Sequence, residues 1–172
     1  MSVGRADARR IALSQVELGL DVDGVVETKH GWYFPSLPDG RVGSSGSIVG
    51  KADGAVFTLG SAYPVDRDIH FYDRGFRSDR YDLVILDVFD EAAATSMVRR
   101  IGPTVIEPSY EGGTVWRIPR PLTEAEIVHR LATLPCVFAD VVLYFSLEVL
   151  EQAEREHAFS FDAVPRTRRW PP

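Results

Sequence analysis

Residues 31–65 read GWYFPSLPDGRVGSSGSIVGKADGAVFTLGSAYPV, and the order of features in this stretch sets the fold. Val26, Thr28, His30, Trp32 and Phe34 alternate with Val25, Glu27, Lys29 and Tyr33, the period-two pattern of one strand with a buried face, ended by Pro35 and Pro38. Residues 38–46 are rich in Gly and Ser with little to bury, which predicts an exposed loop. Ser47 to Gly50 and Ala55 to Leu59 then flank Asp53-Gly54, the chemistry of a two-residue hairpin turn. The expectation is a three-stranded antiparallel sheet with Trp32, Phe34, Phe57 and Leu59 in its core.

Helices bracket that sheet. Upstream, Ala8, Ile11, Ala12 and Val16 recur at helical spacing from Asp7 to a stop at Gly19. Downstream, Pro64 at the start, Asp66 and Asp68 in the first turn, Ile69 and Tyr72, and Gly75 as a stop predict a helix over 65–74. Residues 1–78 thus read as a helix–sheet–helix α+β domain.

Residues 79–164 read as a second α+β unit with a mixed sheet and three helices. Leu83 to Leu86 with Val88 and Phe89 form an apolar run suited to a central strand. Asp90 caps a helix over 91–101 that stops at Gly102-Pro103, and strands at 104–107 and 114–118 surround Glu111-Gly112-Gly113. Thr123 and Glu126 form a capping box ahead of Ile127, Val128, Leu131 and Leu134. A strand over 137–145, a helix from Ser146 to about His157 and an edge strand at 159–164 follow. Residues 165–172 form a basic, proline-rich tail.

The composition is that of a folded globular protein: 172 residues, 45% hydrophobic and 10% aromatic. One cysteine, Cys136, permits no internal disulfide, and the absence of an apolar run at the start points to a reducing cytoplasm and away from a membrane. With 19 basic against 25 acidic residues, the net charge of −6 argues against a general nucleic-acid binder. The surplus is uneven: residues 79–172 carry ten Lys/Arg and fifteen Asp/Glu, which complements a basic partner.

Little points to catalysis. His30, His70, His129 and His157 share no paired spacing, so no metal or other cofactor is expected, and Cys136 lies at the edge of an apolar strand as a small core residue. Asp21-Val22-Asp23-Gly24 begins like a calcium loop but continues with apolar β-formers. Gly43-Ser44-Ser45-Gly46 lacks the Lys-Ser/Thr ending of a phosphate loop. Acids at strand ends leave one enzymatic alternative, a cleft using some of Asp87, Asp90, Glu107 and His129. Asp66, Asp68, Tyr72 and Asp73 form the candidate partner-binding set, since acids beside aromatics anchor a basic protein face.

Gly31-Trp32-Tyr33-Phe34, Ile48-Val49, Asp53-Gly54 and Leu59-Gly60-Ser61-Ala62-Tyr63-Pro64-Val65 together resemble the YrhB-domain family, small bacterial proteins counted among the immunity proteins of polymorphic toxin systems. The resemblance covers roughly residues 5–76; about ninety residues beyond Phe76 match no such pattern. It implies a domain that binds a partner protein, with no cofactor and no catalytic set. The function expected on that basis is non-enzymatic binding and neutralisation of a cognate toxin, a basic one such as a nuclease. A small enzyme and a chaperone-like or structural subunit are the alternatives.

Overall fold

The computed structural model describes residues 2–166, and the expected tail lies outside the described residues beyond Arg166. The fold is α+β, with two compact units, the first ending at Arg77 and the second beginning at Ser78.

In the first unit, helix α1 (Arg5–Ser14) and a short 3-10 turn (Val16–Leu18) precede a four-stranded antiparallel sheet, followed by helix α2 (Val65–Asp73). The strands β1 (Val26–Glu27), β2 (Gly31–Pro35), β3 (Ser44–Gly50) and β4 (Val56–Gly60) lie in sequence order. The single strand expected over 26–34 is two strands. Val26 pairs with Tyr33 and Glu27 with Trp32, so the chain reverses at Thr28–His30. That reversal has its own hydrogen bonds: the Gly31 amide donates to Thr28 Oγ1 at 3.0 Å and the Thr28 amide to the Gly31 carbonyl at 3.0 Å. Alternation along a sequence cannot register a turn whose residues keep the alternating pattern.

The Asp53-Gly54 turn is also longer than expected. The Gly50 amide donates to the Ala55 carbonyl at 2.9 Å, which leaves four residues, Lys51 to Gly54, in the loop, and Asp53 Oδ1 accepts from the Ala55 amide at 3.0 Å. At the other end, Ser44 and Ser45 of the expected loop already belong to β3.

This sheet is buried on both faces. Phe34 and Val49 pack with Ala8, Ala12, Leu18 and Leu20 on the α1 side. Their chain neighbours Tyr33 and Ile48 point the other way, to Leu59 and to Tyr72 of α2. Burial of two faces explains why Tyr33, placed on the exposed side by the alternation, is only 6% exposed. Phe34 and Leu59 are fully core, whereas Trp32 and Phe57 are half-buried, and the Trp32 indole N–H donates to the Val3 carbonyl at 3.0 Å.

In the second unit, β5 (Tyr81–Val88) lies between β8 (Cys136–Val141) and β9 (Phe159–Pro165), and both pairings are antiparallel. The expected mixed sheet is therefore corrected. Leu83 to Leu86 look like a doubly buried parallel strand, yet only Tyr81, Leu83 and Ile85 are buried while Val84 and Leu86 face outward, as in an antiparallel sheet covered on one side. Helices α3 (Glu91–Ile101), α4 (Glu124–Leu131) and α5 (Leu147–Arg155) supply buried Ala94, Met97, Val98, Ile127, Leu131, Leu147 and Leu150. Asp90 caps α3 by accepting from the Ala93 amide at 2.9 Å, and Gly102 closes it. Between α3 and α4 runs a separate two-stranded ribbon, β6 (Thr104–Glu111) with β7 (Thr114–Pro121).

Candidate protein-binding surface

The β6–β7 ribbon departs most from the ordinary logic of burial. Almost every residue along its two strands is exposed, including Ile106, Tyr110, Val115, Trp116 and Ile118, each more than half accessible. Isolated exposed apolar residues are normal on a protein surface; five on one short ribbon form a patch of the kind that binds other proteins.

The ribbon's geometry follows from its turn. Gly112 and Gly113 have φ of 56° and 77°, the two left-handed positions of a type I′ turn, which favours glycine at both. Glu111 and Thr114 therefore form a hydrogen-bonded pair, and hydrogen-bonded and open pairs alternate from there. The Leu122 amide, which donates to the Pro103 carbonyl at 3.1 Å, continues the same ladder past the base. The open pairs are Tyr110 with Val115, Pro108 with Arg117, Ile106 with Pro119, and Thr104 with Pro121. Their side chains share one face. Trp116, Ile118, Glu107 and Arg120 occupy the other.

A polar clamp holds the ribbon's base. Arg120 donates to Glu107 Oε2 at 3.0 Å and to both oxygens of Glu126 at 2.8 and 2.9 Å, joining the ribbon to the first turn of α4. Glu126 also accepts from the Thr123 amide at 2.8 Å, which completes the expected capping box. The Arg120 bonds, followed by those from Thr123, hold the Glu126 carboxyl well below the usual carboxylate range.

The candidate set on α2 has mostly structural surroundings. Asp68 and Tyr72 are 1% and 2% exposed, and Arg67 lies 3.7 Å from the Asp68 carboxylate. Asp73 turns inward to cap the β1–β2 reversal, accepting from the Lys29 amide at 3.1 Å, the His30 amide at 2.9 Å and the Thr28 hydroxyl at 3.3 Å. Asp66 alone of the four is exposed. First-turn acids read as surface because helix position alone does not say which neighbour covers them.

Among the acids weighed for catalysis, Asp87 accepts from the Ser160 hydroxyl at 3.1 Å, Asp90 caps α3, and Glu107 pairs with Arg120. His129 is exposed on α4. His30 and His70 are exposed as well, and His157 stacks on Phe89 with ring centres 4.0 Å apart. Among the described residues, no cluster of His, Cys, Asp or Glu has the arrangement of a metal site. Cys136 is buried, and that burial pushes its thiol up, with Arg130 partly opposing. Asp21 folds onto its own turn, accepting from the Asp23 and Gly24 amides at 3.0 Å.

A cleft of about 430 Å³ lies between α3 and α4, where Arg99 and Glu124 meet at 3.1 Å. Another in the second unit, about 270 Å³, is lined by Arg80, Arg100, Asp140 and Phe145 among others. Neither is lined by Asp87, Asp90, Glu107 or His129.

The ribbon's exposed face went unrecognised in the sequence, although its signal is present: Ile106, Pro108 and Tyr110, then Val115, Arg117 and Pro119, recur at every second position about a Gly-Gly turn. No helix is long and apolar enough to cross a membrane, among the described residues. No family model, curated protein or solved structure matches the chain.

Proposed function

We propose that this chain is a non-enzymatic, immunity-type protein that binds and neutralises a cognate bacterial toxin in the cytoplasm. The observation that carries the proposal is the exposed apolar surface of the β6–β7 ribbon, which has the chemistry of a protein contact and is anchored to α4 through Arg120. The resemblance of residues 5–76 to YrhB-domain proteins supports the same conclusion. The acidic surplus of residues 79–172 would accelerate encounter with a basic toxin, a long-range effect separate from the contacts that hold the complex. Against the alternative of a small enzyme stand the structural tasks of Asp87, Asp90 and Glu107.

The test uses the toxin encoded beside this gene. Co-expression is expected to protect growing cells, and the two purified proteins are expected to elute as one complex. Unprotected cells together with separate elution would overturn the proposal.

A further inference from the structure

We infer that the β6–β7 ribbon is the inhibitory arm of this protein: it enters an apolar-walled cleft of its protein partner and presents Arg117 to a carboxylate held inside. This rests on the function proposed above and names the contact that performs it.

Three features of the ribbon lead there. The first is apolar surface on both faces, with Ile106, Tyr110 and Val115 on one side and Trp116 and Ile118 on the other. A flat partner covers one face only; a cleft covers both. Aromatic side chains beside arginine are also the residue types that dominate binding energy at protein interfaces.

The second is charge. Of the ribbon's two arginines, Arg120 is engaged by Glu107 and Glu126. Arg117 is exposed and makes no ion pair or hydrogen bond among the described residues. It stands midway along the open face, opposite Pro108, between the Ile106–Pro119 and Tyr110–Val115 pairs. A guanidinium entering a water-poor cleft needs a carboxylate there, because an unpaired buried charge is strongly destabilising. The same residue argues against a second copy of this chain as the occupant. Two such faces packed in register about a two-fold axis would bring Arg117 against Arg117.

The third is the treatment of the edges. In the open pairs the backbone amides point away from the partner strand, to the rim of the ribbon. Pro108, Pro119 and Pro121 all occupy such positions and have no N–H to offer. Strand addition is thereby blocked on both edges, leaving side-chain contact through the faces as the mode of binding.

The test is the affinity of the purified toxin encoded beside this gene for three single variants, Arg117→Glu, Tyr110→Asp and, as control, Glu17→Gln. All three sites are exposed, and thermal melts matching the unsubstituted protein verify folding. The expected result is a loss of about 30-fold or more for Arg117→Glu and Tyr110→Asp, with no change for Glu17→Gln. Reversal of one cleft carboxylate of the toxin to Arg is expected to restore binding to Arg117→Glu. Full-strength binding by both arm variants overturns the arm and leaves the proposed function standing. No binding by the unsubstituted protein overturns both. Dimerisation of the protein alone that Tyr110→Asp abolishes also overturns the arm, since its occupant would then be a second copy.

Discussion

Arg120 and Glu126 meet through two parallel hydrogen bonds of 2.8 and 2.9 Å, so one guanidinium ties a β-ribbon to the first turn of a helix. The pair is a fork-to-fork contact, which fixes orientation as well as distance. Rotation of the ribbon about its base would break both bonds at once.

That geometry gives Glu126 a titration unlike that of a free glutamate. Its carboxyl is depressed in the folded protein, first by Arg120 and then by Thr123, so its contribution to stability is fully present above the unfolded value of about 4.3 and is lost as pH falls toward the folded one. Both side chains are more than a third exposed, so solvent screens the pair and the effect is expected locally rather than in the global melt. Carboxyl NMR is expected to place the Glu126 midpoint below the ordinary glutamate range, and Arg120→Met to return it toward that range. A normal midpoint in the unsubstituted protein would refute the clamp.

Gly31 sits beneath Ile48 and Tyr72 with no room for a side chain. A Cβ there would run into Ile48 Cγ2 and come within 3.3 Å of the Tyr72 ring. Gly31→Ala is expected to lower stability by about 1–3 kcal/mol in urea unfolding, the usual range for overpacking. An unchanged midpoint would mean that the Ile48 side chain turns aside without cost.

Asp73→Ala removes the three bonds that Asp73 contributes to the β1–β2 reversal and leaves the two that the reversal makes within itself. A loss of about 1–2 kcal/mol is expected, together with faster exchange of the Lys29 and His30 amides; Asp73→Asn, which keeps one acceptor oxygen, should lose less. Equal exchange rates in all three proteins would show that water satisfies the turn as well as the carboxylate does.

Gly113→Ala puts a Cβ on a left-handed residue at φ 77° and is expected to weaken the ribbon locally by about 1 kcal/mol. The readout is the cross-strand proton contact between Tyr110 and Val115, which should fade while the unit's melt holds.

Cys136, buried and with its thiol pushed up, is expected to react with a disulfide reagent at pH 8 only after denaturant is added. Prompt labelling of the native protein would contradict its place in β8.

Local chemistry in the sequence carried much of the fold. Asp90 and Gly102 bound α3 at Glu91–Ile101, and Thr123 with Glu126 marks the start of α4, because caps act over three or four residues and both partners are close in the chain. Features set by distant residues were not legible. The reversal at Thr28–His30 is capped by Asp73, 45 residues on from Thr28, and the burial of Asp68 and Tyr72 depends on a sheet formed earlier in the chain. The two strands and the Gly-Gly turn of the ribbon are legible in the sequence, but its open face is not. Its alternation implies a buried face, and only the structure leaves that face open.

The Asp73 cap also sets an order of assembly. While residue 73 is still within the ribosome, the β1–β2 reversal has left the tunnel without its acceptor, and the amides of Lys29 and His30 remain with water. The first hairpin of the chain is therefore completed by the last turn of α2, and any fragment cut before that turn begins life with its opening hairpin unlatched.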